Sequence, residues 1–222
     1  MWREGLIERR REVRPGKPSR EVYSLTEAGE RALIEALHQP LKPDVFKSEF
    51  LLNQKQLQES GMAWTFVQPG FFMQNLLMYG EAIRDKGEFY MPLGEGKVSW
   101  LDARDIAGVA VKALTEPGHE NQAYPVTGPD ALGGADLATV LTDVSGDTVN
   151  YVPISLDQAR QAMTAMGMPE PLADAMNELY ALAPAGHLAG VLDTVEKDTG
   201  HPARSFRQFA TDHAATFKRV RH

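Results

Sequence analysis

Apolar positions along this chain alternate between strand-like runs and helix-like stripes. The run MAWTFVQ (62–68) is short, aromatic-rich and halted by Pro69-Gly70, which reads as a strand. FFMQNLLMYGEAIRDKG follows at once, densely apolar and then amphipathic, with Gly87 as a helix stop. EFYMP and KVSWL read as strands around the Gly94-Glu95-Gly96 turn. Asp102 is expected to cap ARDIAGVAVKALTE, with Asp105 at the third position and Pro117-Gly118 as the end. AYPVTGP is a further strand, GADLATVLTDVS a helix closed by Gly146, and TVNYVPIS a strand. Ser155 with Gln158 predicts a capping box for a helix ending near Gly167. Ser205 with Gln208 predicts another, for a last helix with Phe206, Phe209, Ala210, His213 and Phe217 on one stripe. Strands alternating with helices define an α/β lobe, in which ligands are held where a strand end turns into a helix. Ser60 to Asn75, SGMAWTFVQPGFFMQN, is such a place.

The first 56 residues follow a different pattern. Leu6-Ile7 and Val13 on one side and EVYSLT on the other read as two short strands. Pro15, Gly16 and Pro18 in RPGKPSR keep either from continuing. Thr26 reads as the cap of EAGERALIEALH, with Leu33, Ile34 and Leu37 on one face, and Pro40 and Pro43 break that helix. A second helix is expected over Asp44 to Glu59, with Phe46, Phe50 and Leu57 on a stripe. Two domains result, 1–56 and 57–222.

Charge reinforces this division. Residues 1–56 hold 11 Lys/Arg and 9 Asp/Glu, a balance of +2, whereas the remainder holds 12 and 21, a balance of -9. A basic head on an acidic body points weakly to an anionic partner, and an exposed wing or helix end with solvated arginines is the better explanation on charge alone. The absence of cysteine excludes disulfides, thiolate nucleophiles and Cys-based metal sites. No two of the six histidines have ligand spacing, so no metal is expected. The N-terminus lacks the apolar segment of a signal peptide, and no apolar run approaches a membrane span. A soluble cytoplasmic protein is expected. Asp102, Arg104 and Asp105 are better explained by capping and an ion pair than by acid/base chemistry, and no catalytic residue is assigned.

REGLIERRREVRPGKPSREVYSLTEAGERAL and KSEFLL resemble the end of the winged-helix domain of PadR-type transcription regulators. That resemblance covers the wing and its following helix but begins where the DNA-reading helix would be ending. It implies that Arg14, Lys17 and Arg20 touch DNA phosphates, weakly and without sequence preference.

The body is similar, in order, to the second half of NmrA-like proteins, atypical members of the short-chain dehydrogenase/reductase superfamily. SGMAWTFVQPGFFMQN, GEFYMPLGEGKVSWLDARDIAGVAV, LTEPGHENQAYPVTGP and SFRQFA carry the resemblance. It implies nicotinamide-linked ancestry, with Gln68, Pro69, Gly70 and Phe71 beside the nicotinamide end of NAD(P). Phe72, Asn75 and Phe89, Tyr90, Met91 and Pro92 would lie near a substrate cleft.

Dinucleotide binding needs a glycine-rich strand–turn–helix for the pyrophosphate. The glycines before residue 60 are Gly5, Gly16 and Gly29, 11 and 13 apart, and do not form one. The expectation is therefore an incomplete Rossmann-like lobe behind a winged-helix remnant. It would be a hybrid or truncated product without competent catalysis, and no cofactor would be bound by the chain as it stands. One alternative is an NAD(P)-dependent quinone- or azo-type reductase completed by another segment or chain. The other is a PadR-like regulator with an SDR-like sensing lobe. The strand at 62–68 is expected to leave an open edge and uncovered apolar faces that favour self-association.

Overall fold

A computed structural model describes residues 54–219 together with the backbone of 7–12 and 20–25. The chain divides into two units, Met1–Lys42 and Pro43–His222. In the first, β1 (Ile7–Glu12) and β2 (Arg20–Leu25) pair antiparallel, with Ile7 opposite Leu25 and Glu12 opposite Arg20. These are the two short strands that RPGKPSR was expected to separate. Arg14 and Lys17 lie outside the described residues, as do the helix expected after Thr26 and the start of the one expected from Asp44. Residues 54–59 are helical.

In the second unit, β3 (Thr65–Pro69) leads through a 3-10 segment (Met73–Tyr79) into α1 (Gly80–Lys86). β4 (Glu88–Met91), β5 (Val98–Ser99), α2 (Ala103–Thr115), β6 (Gln122–Val126), β7 (Ala131–Leu132) and α3 (Gly134–Ser145) follow. The chain ends with β8 (Asn150–Pro153), α4 (Leu156–Ala165), α5 (Glu170–Ala181), α6 (Thr194–Thr199), α7 (Phe206–Asp212) and α8 (Ala214–Phe217). β3 pairs parallel with β6 and β4 parallel with β8, while β5 and β7 pair antiparallel. Parallel pairs require crossover connections, and the intervening helices supply them.

Local signals place most boundaries. Asp102 accepts from the Arg104 N–H at 2.9 Å and starts α2. At Ser155 both bonds of the capping box form. Gly87 and Gly146 close α1 and α3 in left-handed conformation, where a Cβ is penalised.

Three expectations need correction. The stretch after Pro69-Gly70 opens as 3-10 rather than α-helix. Asp105 is not spent on capping: its buried carboxylate accepts from the Arg204 N–H at 2.8 Å and from the Arg204 guanidinium. The last helix is broken at His213 into α7 and α8, while Phe206, Phe209, Ala210 and Phe217 are still buried.

The main core gathers Met73, Leu76, Ile83, Phe89, Met91, Trp100, Leu137, Leu141, Phe206, Phe209 and Phe217. A smaller cluster of Leu101, Val109, Val126 and Val195 joins α2, β6 and α6. Among the described residues no helix is long and apolar enough to cross a membrane.

Candidate functional site

The segment Gln68 to Phe72 ends β3 and is stitched to two neighbours. The Gly70 N–H donates to the Val126 carbonyl at 2.9 Å, so the end of β3 is registered on the end of β6. The Leu101 N–H donates to the Phe71 carbonyl, and the Met73 N–H to the Leu101 carbonyl, each at 2.8 Å. A parallel bridge between Phe72 and Leu101 completes the link. The segment is thus fixed where the carboxyl ends of parallel strands meet, the usual ligand position in such folds.

Packing does not demand a glycine at position 70. A methyl group there would make only ordinary contacts, 3.7 Å from the Ser99 and Val126 carbonyls. The result is bare, exposed backbone, which suits close approach of a ligand. Pro69 is exposed and Gln68 half-buried, its amide donating to the Gln54 side chain at 3.4 Å. Phe71 is half-buried, with its ring 5.9 Å from Trp100, edge to face, and 5.6 Å from Tyr180. Trp100 is held in turn by its indole N–H, which donates to the Leu132 carbonyl at 3.1 Å.

The residues assigned to a substrate cleft separate into two groups. Phe72 and Asn75 are half-buried on the same segment as Phe71. Phe89, Met91 and Pro92 are buried, and Phe89 packs between Tyr79 and Tyr151 with centroids 6.3 Å and 5.5 Å away. Tyr90 is half-buried and its hydroxyl donates to the Glu88 carboxylate.

Sequence reasoning missed the residue that anchors this segment, Gln74. Its amide nitrogen donates to the Asp102 carboxylate at 3.1 Å, and its amide oxygen accepts from the Ala103 N–H at 3.1 Å. The 3-10 segment is thereby clipped to the N-terminus of α2. Asp102 is fully buried, and the Arg104 guanidinium lies along it with bonds of 2.6 Å to 3.1 Å. Burial alone would raise the Asp102 pKa. The Arg104 side chain, its N–H and Gln74 outweigh burial and hold the carboxyl below the usual carboxylate range. Arg104 also reaches Asp212 at the end of α7, at 2.7 Å.

Four helix starts among the described residues are closed by the chain's own acceptors, whereas α1, α5, α6 and α8 begin without a side-chain cap. Asp102 serves α2, Asp136 takes the Gly133 N–H before α3, and Ser155 and Ser205 serve α4 and α7. An acidic or hydroxyl cap occupies the groups that would otherwise hold a phosphate. Beside the end of β6 lies a hollow of about 410 Å³. Pro129, Leu192, Val195 and Pro202 line it along with Asp193 and Glu196. Among the described residues no three His, Asp or Glu side chains gather as a metal site.

These features define a Rossmann-like α/β protein whose candidate site sits at the carboxyl ends of β3 and β6. Residues 35–207 match the model of the NmrA-like family, and the chain belongs to that family. It is 76% identical over 165 residues to the NAD(P)H azoreductase of Xenophilus azovorans, a match covering 74% of this chain and 58% of the relative. It is 36% identical over 194 residues to the (4-alkanoyl-5-oxo-2,5-dihydrofuran-3-yl)methyl phosphate reductase of Streptomyces griseus, covering 86% and 68%. Among solved structures, the NADPH-dependent quinone oxidoreductase of Escherichia coli complexed with NADPH superposes with a TM-score of 0.68 at 29% identity. That superposition covers 81% of this chain and 62% of the other. The chain therefore spans roughly three fifths to two thirds of the length of these relatives.

The matches correct the sequence-based expectation. A hybrid or truncated product without competent catalysis is overturned by the 76% identity to an NAD(P)H azoreductase and by the likeness to an NADPH-bound oxidoreductase. The alternative of an NAD(P)-dependent reductase is the one they support. The match to the family model starts at residue 35 and does not include the β1–β2 hairpin, for which no winged-helix relationship is shown.

Proposed function

We propose that this chain carries the acceptor-side part of an NAD(P)H-dependent reductase acting on azo compounds or quinones. The observation that carries the reading is the 76% identity to an NAD(P)H azoreductase. The position of Gln68 to Phe71 at two parallel strand ends supports it.

The described residues fit one end of the cofactor. Gln68, Pro69 and Gly70 would line the nicotinamide ring with exposed backbone, and Phe71 would wall it from the core. Bound there, a reduced nicotinamide supplies a hydride. The starts of α2, α3, α4 and α7 are already closed by their own caps, and the residues at the end of β3 are assigned to the nicotinamide and acceptor side. Phe71 and Phe72 would offer apolar surface to an aromatic acceptor, and the Asn75 amide can donate to or accept from its polar atoms.

The test is NADPH oxidation by the purified protein, followed with an azo compound and separately with a quinone. Acceptor-dependent oxidation is expected, with a raised acceptor KM in Asn75→Ala. Absence of oxidation with both acceptors refutes the reading.

A wing role for the β1–β2 hairpin is a separate proposal, supported by its antiparallel pairing and by basic residues in the connecting loop. Binding to duplex DNA that weakens steeply with salt is expected, and no binding at low salt removes it.

A further inference from the structure

The Phe71 ring is held from behind by an arrangement that nothing in the strand-end chemistry requires. Tyr180, on α5, is 6% exposed and lies 5.6 Å from Phe71 across a tilted contact. Its hydroxyl faces that of Tyr79, the last residue of the 3-10 segment. Tyr79 packs in turn on Phe89 of β4. Trp100 closes the other side of Phe71, edge to face. The stretch after α5 is also fixed, since the Ser99 N–H donates to the Leu188 carbonyl at 2.8 Å. At Gly96 a methyl group would fall 2.4 Å from the Ala183 backbone, so the turn before β5 and this stretch touch main chain to main chain. Tyr180 is therefore set in a close-packed frame, and Phe71, flanked by Tyr180 and Trp100, stays half-buried.

Resting on the reductase reading above, we propose that Tyr180 is a positioning residue for the acceptor. Through its contact with Phe71, and with Tyr79 behind it, Tyr180 fixes the Phe71 ring as a flat wall on which an aromatic acceptor stacks. Aromatic faces at such centroid distances attract by offset or tilted stacking, and a ring that cannot rotate loses little entropy on binding. The pair is not suited to supplying the proton. Burial pushes both hydroxyls above the ordinary tyrosine range, Tyr180 adding to the rise at Tyr79 while Tyr79 offsets part of it at Tyr180, and both stay neutral. Their role is geometric.

The test reads binding and turnover separately. In a chain carrying Trp2→Phe and Trp64→Phe, Trp100 is the remaining tryptophan, and a naphthoquinone stacked on Phe71 should quench its emission. Tyr180→Leu removes the ring that backs Phe71 and should weaken the quinone Kd roughly two- to tenfold, the worth of one aromatic contact. Tyr180→Phe keeps that ring and should leave the Kd at the native value. In turnover, Tyr180→Leu should raise KM for the quinone and leave KM for NADPH unchanged, and Tyr180→Phe should restore the quinone KM. A merely structural role would shift both KM values. An unchanged quinone Kd in Tyr180→Leu, or a loss in Tyr180→Phe as large as that in Tyr180→Leu, overturns the proposal. Quenching that responds as expected without any NADPH oxidation would instead sink the reductase reading and leave the positioning role standing.

Discussion

Replacing Asp102 should unfasten the candidate site and destabilise the lobe together. Its carboxylate is fully buried and has three tasks: it caps α2 through the Arg104 N–H, pairs with the Arg104 guanidinium and receives the Gln74 amide. Loss of the cap costs about 1 kcal/mol. The charge-assisted bonds would add roughly 1.5–3 kcal/mol, less a discount because the Arg104 side chain is 43% exposed and can turn to water or Asp212. Asp102→Ala is therefore expected to cost roughly 2–4 kcal/mol. Asp102→Asn keeps an oxygen for the cap and loses the charge, for about 1–2 kcal/mol. Urea unfolding at neutral pH reads both as shifts in midpoint at constant slope. The sign of the pH dependence follows from the depressed carboxyl. The charged form's contribution is complete above the unfolded carboxylate pKa and is lost as pH falls through the lower folded value. The gap between the native chain and Asp102→Asn should accordingly narrow in acid. A cost for Asp102→Ala below about 1 kcal/mol, or equal costs for Ala and Asn, refutes this account of the buried cap.

Other substitutions separate packing from surface effects. Gly128→Ala would place a methyl carbon 1.6 Å from the Trp100 carbonyl oxygen, and circular dichroism should show loss of cooperative unfolding. Ser155→Ala removes one half of a complete capping box and should cost about 1 kcal/mol in urea midpoint measurements. Arg207→Ala breaks a half-exposed pair with Asp143 and should leave stability within about 0.5 kcal/mol.

The features legible in the sequence share a physical property: their partners are near neighbours. Asp102 caps two residues ahead, the Ser155–Gln158 box spans three, and Gly87 and Gly146 act through their own backbone. The strand ending at Pro69 and the helices capped at Asp102 and Ser155 were readable for that reason. The Gln74–Asp102 bond spans 28 residues, and the Asp105–Arg204 pair 99. No spacing rule encodes such contacts, because they depend on how crossovers bring elements together. α5 escaped notice for another reason. It buries Ala173, Ala175 and Tyr180, so its apolar stripe is mostly small residues, and Pro171 sits in its first turn. Yet α5 carries Tyr180, which backs the candidate site. The functional misreading came from a related source. Three scattered glycines were allowed to decide the chemistry of the whole chain, although they bear only on the pyrophosphate grip. An acceptor is held by other atoms: the exposed backbone at Gly70, the Phe71 ring and the residues that fix both. Those atoms are assembled by Val126, Leu101, Gln74 and Tyr180 from four separate stretches of sequence. Substitutions at Gln74 and Tyr180 are therefore better measures of what this lobe does than any glycine count.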